Sequence, residues 1–281
     1  MSNHDRRSVL KGTASLAAAG TVGTLVPGSA SAATTDTYRL YHWIGSLEHG
    51  TFNEPADLTT ALDQKPIDGV YPMIPHNGFE TGYKSDWLDF VGRMNDRGVR
   101  VVPVVNGVKA DAAADVVQQM LDWNADATSG QKIDGIQIDV EDGAYDGDAQ
   151  KTLSGIETHL LDSSLTTQID GQGLDYALAA IPAWGNNATA SQFSAIATDD
   201  SIDRIVAMTY DPTTSEVRTH LEWLYDDFSE ETDHEVAFGA HVDGVNWSDI
   251  ESMRDDLDDV CWADIGTIDG FAVWQLDQLD L

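Results

Sequence analysis

The residues most able to do chemistry stand in one stretch, Asp134-Gly135-Ile136-Gln137-Ile138-Asp139-Val140-Glu141-Asp142. Its strict apolar alternation is that of a β-strand, in which successive side chains point to opposite faces. Ile136, Ile138 and Val140 then share one face, and Gln137, Asp139 and Glu141 share the other. If the apolar face meets helices, the polar face looks into the interior of the sheet. Three polar groups in a row, two of them acidic, are costly in such a place unless they serve a function. Burial and a neighbouring carboxylate can also hold one carboxyl protonated near neutral pH, which suits a pair of acids to proton transfer. The competing reading puts the strand out of register, with its acids in solvent; the clean alternation argues against it.

The surrounding chain supplies elements to position this strand. Eight β-rich runs occur, at residues 38–44, 69–74, 100–105, 133–140, 174–181, 204–210, 235–241 and 270–276. Between them fall seven stretches of helical periodicity, at 55–64, 85–97, 110–124, 148–162, 189–198, 215–228 and 247–258. Alternating strands and helices imply right-handed crossovers and a parallel sheet. Eight units without a Pro/Ser linker or a break in composition predict an α/β chain folded as one (β/α)8 TIM barrel over residues 34–281, lacking the eighth helix. A doubly wound open sheet is the alternative. In a barrel of this kind the chemistry sits at the C-terminal ends of the strands and in the loops that follow them.

With that placement, the chain resembles glycoside hydrolase family 18, the chitinase-like barrels. Their fourth strand carries D-x-x-D-x-D-x-E, matched here by Asp134-Gly135 followed by Gln137, Asp139 and Glu141. Met208-Thr209-Tyr210-Asp211 matches the family's M-x-Y-D element on strand six, and Gly270-Phe271-Ala272-Val273-Trp274 its G-x-x-x-W on strand eight. The resemblance implies a retaining, substrate-assisted glycosidase acting on N-acetylglucosamine-containing glycans, an exception to the two-carboxylate scheme. It casts Glu141 as general acid and then base, and Asp139 as the group that orients the 2-acetamido substituent. Tyr210 would hydrogen-bond that substituent, and Trp274 would form an apolar floor under the sugar. Gln137, Met208 and Asp211 join the substrate-binding set. Two departures stand out. Gln137 replaces the middle acid, and the S-x-G-G element of strand three is absent. In its place Arg-Val-Val-Pro103-Val-Val-Asn106-Gly107 is similar to the branch related to spore and cell-wall glycan hydrolases.

Other readings remain open. The barrel could grip glycan without cutting it, or be an unrelated barrel hydrolase with convergent carboxylates. Trp43, Trp184, His76 and His241 fall at or near strand ends, where each could line a sugar groove or simply pack. The acidic loop 142–148 lacks EF-hand spacing and reads as solvated surface. Asn187 and Asn246 begin possible glycosylation triplets. No zinc-protease, paired-Cys, Walker A or G-x-G-x-x-G pattern occurs, so neither metal nor nucleotide cofactor is expected. The single cysteine, Cys261, excludes an internal disulfide.

The first 33 residues read as a twin-arginine export signal: Arg6-Arg7, an apolar run from Leu16 to Val26, then small residues at Ala30-Ser31-Ala32-Ala33. The expected product is secreted, with no membrane partner once the signal is gone. The whole chain holds 15 Lys+Arg against 48 Asp+Glu, a formal net charge of −33. The signal contains three basic residues and one acid. Its removal leaves 15 less 3, or 12, basic residues against 48 less 1, or 47, acids, a net of −35. The acids are spread along the chain and 42% of residues are hydrophobic, so disorder does not account for them. Such a charge repels nucleic acid and anionic membranes, and it opposes compaction in dilute buffer. At molar salt the Debye length falls to about 3 Å, which screens the repulsion. We read the composition as adaptation to brine. The thermal midpoint of the mature chain is expected to climb steeply from millimolar to molar KCl. A midpoint that ignores KCl would refute this reading of the acidity.

Overall fold

The computed structural model describes residues 38–45, 50–107, 109–140, 149–185, 189–209, 219, 233–239, 251–252, 255 and 270–274. All belong to the second of the chain's two units, Ala32–Leu281. Eight strands follow in order: β1 (Tyr38–Trp43), β2 (Ile67–Ile74), β3 in two segments (Arg100–Val101 and Val104–Gly107), β4 (Gly135–Val140), β5 (Asp175–Ala180), β6 (Arg204–Thr209), β7 (Asp233–Gly239) and β8 (Gly270–Trp274). Each is parallel to its neighbours, and β1 pairs with both β2 and β8, so the sheet closes on itself. The architecture is the (β/α)8 TIM barrel expected from the sequence.

Two buried apolar sets separate by strand parity. Tyr41, Tyr71, Met73, Val102, Val104, Ala177 and Val206 cluster inside the barrel. Leu40, Val70, Ile74, Val101, Val105, Ile136, Ile138, Val140, Leu178 and Ile205 belong to the larger core between sheet and helices. Ile136, Ile138 and Val140 thus occupy the helix-facing side predicted by their alternation.

The helices described over their full length are α1 (Leu58–Gln64), α2 (Lys84–Asp96), α3 (Ala110–Asp126), α4 (Ala149–Gly155), α5 (Ser163–Gln172) and α6 (Ala190–Ala197). In α2 the buried residues Trp87, Phe90, Val91 and Met94 recur at helical spacing and form one stripe against the sheet. Just past its end, Gly98 takes a left-handed φ of 73°, which stops the helix and returns the chain to β3. Helix α5 was not foreseen. Periodicity predicts one helix over 148–162, whereas α4 runs into a π turn at Ile156–Leu160 and α5 follows separately. The Asp162 carboxylate accepts from the Ser164 N–H at 2.9 Å as N-cap of α5, and Gly173, with φ 72°, ends it. Only Leu165 and Ile169 of α5 are buried, so its apolar signal is faint. The last two predicted helices, 215–228 and 247–258, fall almost wholly outside the described residues. Thr219, Glu251, Ser252 and Asp255 are helical. The segment after Trp274, the loop 142–148, Cys261, Asn187 and Asn246 lie outside them.

Two devices fix β4 where it stands. Pro103 has no N–H for the ladder and separates the two segments of β3. Beside this break, the Asp134 carboxylate accepts from the Val101 N–H at 2.8 Å, while the Asp134 N–H donates to the Val101 carbonyl at 2.9 Å. Gly135 then lets β5 come close. A Cβ at this position would lie 2.6 Å from the Asp175 carbonyl oxygen and 3.0 Å from the Asp175 Cβ. Neither obstacle is the end of a flexible side chain.

The loops at the C-terminal rim are tied as well. The Gln119 side chain of α3 accepts from the Phe79 N–H and donates to the Phe79 carbonyl, both at 2.8 Å. The Glu80 N–H donates to the Gly50 carbonyl at 3.0 Å, which joins the loops after β1 and β2.

At the opposite end, Asp175 receives Arg100 at 2.6 Å and lies 3.8 Å from Arg204, whose residue is 8% exposed. The Tyr176 hydroxyl donates to the Leu160 carbonyl at 3.0 Å, pinning the π turn to β5, and complete burial pushes its ionisation far up. No described helix is long and apolar enough to cross a membrane. Gly135→Ala is expected to cost about 1–3 kcal/mol by overpacking. Chemical denaturation in molar salt will measure it, and a loss under 0.5 kcal/mol would show that β4 and β5 can separate freely.

Candidate functional site at the C-terminal end of the barrel

The polar face of β4 points into the barrel. Gln137 and Asp139 are each 1% exposed, far too buried for surface acids or amides. The parallel register sets Val104 beside Gln137 and Asn106 beside Asp139. Across that ladder the Asn106 Nδ2 donates to Asp139 Oδ2 at 3.2 Å. Below it, the Tyr41 hydroxyl reaches across the interior from β1 and donates to Gln137 Oε1 at 2.8 Å. The Tyr41 ring lies 4.6 Å from that of Tyr71, tilted by 37°.

The remaining candidates distribute as follows. Glu141 is the next residue after Val140, the end of β4, and lies outside the described residues, as do Tyr210 and Asp211 after β6. Met208 is buried near the end of β6 and pairs in register with Ala237 of β7. Trp43 and Trp274 are the last residues of β1 and β8; their backbones pair with Met73 and Gly239. Asp139, Met208, Trp43 and Trp274 therefore come from four strands at or next to their C-terminal ends, the rim where barrels of this class carry chemistry.

Trp184 does otherwise. It ends the short turn Pro182–Trp184, is 1% exposed, and sits 5.9 Å from the ring of Phe193 in α6. Its indole is committed to the core behind β5, which corresponds to the packing alternative and not to a groove wall. His76 is exposed in the loop after β2, and His241 lies outside the described residues. Among the described residues no three metal-ligating side chains converge.

Tyr41 belongs to no motif, and Asn106 enters the sequence reading only through the Pro103–Asn106 pattern of strand three, with no role assigned. Parity places both on inward faces, while the residue each one meets is set by register. Asn106 is the last polar residue of the inward face of β3, and Tyr41 carries a hydroxyl on the inward face of β1, where a buried Gln137 needs a partner.

Structural comparison places the fold among solved barrels. An endo-beta-N-acetylglucosaminidase from Cordyceps militaris superposes with a TM-score of 0.53 at 14% identity, over 86% of this chain and 82% of that one. A GH18 chitinase from Pseudoalteromonas aurantia gives 0.51 at 14% identity, covering 84% and 93%. A chitinase from Bacteroides thetaiotaomicron gives 0.52 at 10% identity, covering 86% and 90%. The fold is a TIM barrel of the kind these glycosidases use. No protein-family model matches the chain, and no curated protein matches it by sequence. Similarity at this level of identity concerns the fold, and the site's chemistry rests on its own residues.

Tyr41→Phe removes the hydroxyl from Gln137 and leaves a buried amide oxygen short of a donor, at a cost of about 1–3 kcal/mol. In a chain of this size that lowers the thermal midpoint by about 2–4 °C per kcal/mol. An unchanged midpoint would mean that Gln137 finds another donor and that the cross-barrel bond is incidental.

Proposed function

We propose that this chain is an exported glycoside hydrolase cleaving N-acetylglucosamine-containing glycans by a retaining, substrate-assisted mechanism. The observation that carries the proposal is Asp139: a buried carboxyl at the axis-facing end of β4, held by Asn106 and two residues before Glu141. Motif residues on β6 and β8 and the likeness of the fold to solved chitinases and an endo-N-acetylglucosaminidase support the reading.

In this mechanism Glu141 gives its proton to the glycosidic oxygen as the bond to the anomeric carbon breaks. The carbonyl oxygen of the sugar's own 2-acetamido group attacks that carbon and closes a five-membered oxazolinium ring. Asp139 accepts the acetamido N–H, which aims the carbonyl and offsets the positive charge that develops. Tyr210 hydrogen-bonds the same group, and Trp274 packs under the C–H face of the distorted sugar. Glu141, now a carboxylate, takes a proton from water as the water opens the ring. The sugar leaves with its original anomeric configuration. No metal or organic cofactor enters any step.

Gln137 favours one second reading. It replaces a carboxyl with a neutral amide beside Asp139, and a barrel with weakened proton chemistry would still hold a sugar. That reading is a glycan-binding protein without turnover.

Hydrolysis of fluorogenic N-acetylglucosamine oligomers in molar KCl separates the two. The wild type is expected to turn over, and Glu141→Gln to lose about 10²–10⁴-fold in kcat, the usual worth of a general acid. A thiazoline mimic of the cyclised acetamido group should inhibit competitively. Binding of the oligomers with no turnover by folded wild type would establish the binding protein instead.

A further inference from the structure

We infer that Asn106 is the positioning residue of this site: by donating from Nδ2 to Asp139 Oδ2, it sets the angle at which the Asp139 carboxylate meets the substrate's acetamido group. The chemistry assigned to Asp139 rests on the glycosidase reading above, whereas the contact itself does not.

The argument begins with the cost of burial. A carboxylate 1% exposed needs donors, because in an apolar interior it loses the water that would stabilise its charge. The position two residues earlier on the same face brings Gln137, a neutral amide whose oxygen is engaged by Tyr41 at 2.8 Å. Gln137 cannot share a proton with Asp139 as a second carboxyl would. One donor comes from the neighbouring strand, where Asn106 stands in register with Asp139 and its amide nitrogen lies 3.2 Å from Oδ2.

Asn106 is itself placed by rigid parts. Its strand segment, Val104–Gly107, is laddered to β4 along its length. At Gly107 the chain passes so close to α3 that a Cβ would lie 2.8 Å from the Ala113 Cβ and 3.2 Å from the Lys109 carbonyl oxygen. The residue after Asn106 is therefore wedged against a helix, and Asn106 cannot drift away from β4. A side chain on one strand aiming a side chain on the next is a way to hold a reacting group to the tolerance catalysis needs. Misplacement by about 1 Å can cost a factor of about 100 in rate.

The test is a double-mutant cycle in the full mature chain at molar KCl, with turnover of the fluorogenic oligomers as readout. Asn106→Ala is expected to lower kcat by about 10- to 100-fold with little change in KM. In an Asp139→Asn background the same substitution should cost no more than about twofold, because its route to the substrate is already cut. Asn106→Asp, which keeps the shape and replaces the donor by an acceptor, should lose at least as much as Asn106→Ala and covers the case in which alanine fails to fold. An equal loss from Asn106→Ala in both backgrounds, or an unchanged kcat in the single variants, overturns the inference. If the folded wild type turns over nothing, the glycosidase reading falls. The contact is then read from the ¹³C carboxyl resonance of Asp139, assigned by its loss in Asp139→Asn. A shift of that resonance in Asn106→Ala upholds the positioning contact, and an unmoved resonance ends it.

Discussion

A polar side chain on the axis of a closed barrel has no water to turn to, so its partner must come from another strand. The Tyr41–Gln137 hydrogen bond answers that demand in the middle of this molecule, joining β1 to β4 across the interior. Above it Asn106 meets Asp139; below it Tyr41 stacks near Tyr71. The Tyr71 hydroxyl lies 3.5 Å from Arg204, which in turn faces Asp175. The interior thus holds a column of polar contacts from the C-terminal rim to the base, set among Met73, Val102, Val104, Ala177 and Val206. Each contact couples two strands, so the polar groups that make a site possible also tie the barrel wall together.

The few cations of this acidic chain are placed with economy. Lys84, Arg93 and Arg97 each pair with an acid on the outer surface. The Lys84 ammonium holds the Asp126 carboxyl below its ordinary range, so the pair stabilises the fold above the unfolded carboxyl's pKa and is lost as pH falls through the depressed one. Such exposed pairs are screened in molar salt. Arg204 differs, being buried at the base of the barrel 3.8 Å from a half-exposed Asp175 that also receives Arg100. In brine the surface pairs contribute little to stability.

The sequence made the strands legible because a barrel wall writes its two faces as a period of two. Ile136, Ile138 and Val140 against Gln137 and Asp139 is that pattern at full contrast. Helix α5 was harder, since Leu165 and Ile169 are its only buried residues and its boundaries rest on Asp162 and Gly173. Trp184 shows another limit. Its position after a strand suggests a groove, but the turn at Pro182 swings it back onto Phe193. Backbone geometry over three residues decides that outcome, and no periodicity reports it. Asn106 was in plain view, yet its importance depends on which residue of β4 stands beside it. Register is a relation between strands and cannot be read from either one alone.

The signature on β4 divides into two halves with different physical duties. Asp134 and Gly135 build: one satisfies the Val101 N–H beside the Pro103 break, the other admits β5. Gln137 and Asp139 are buried and face the axis. A barrel could keep the first half for its fold alone and let the second drift. Here Gln137 receives a hydroxyl from β1 through its amide oxygen, and Asp139 receives a donor from β3. A carboxylate kept in a place so costly to occupy, with a neighbouring strand arranged to hold it, is hard to explain by packing, since a leucine would fill the same space without needing any partner. The burial of Asp139, more than the spelling of the motif, is what argues for a working site.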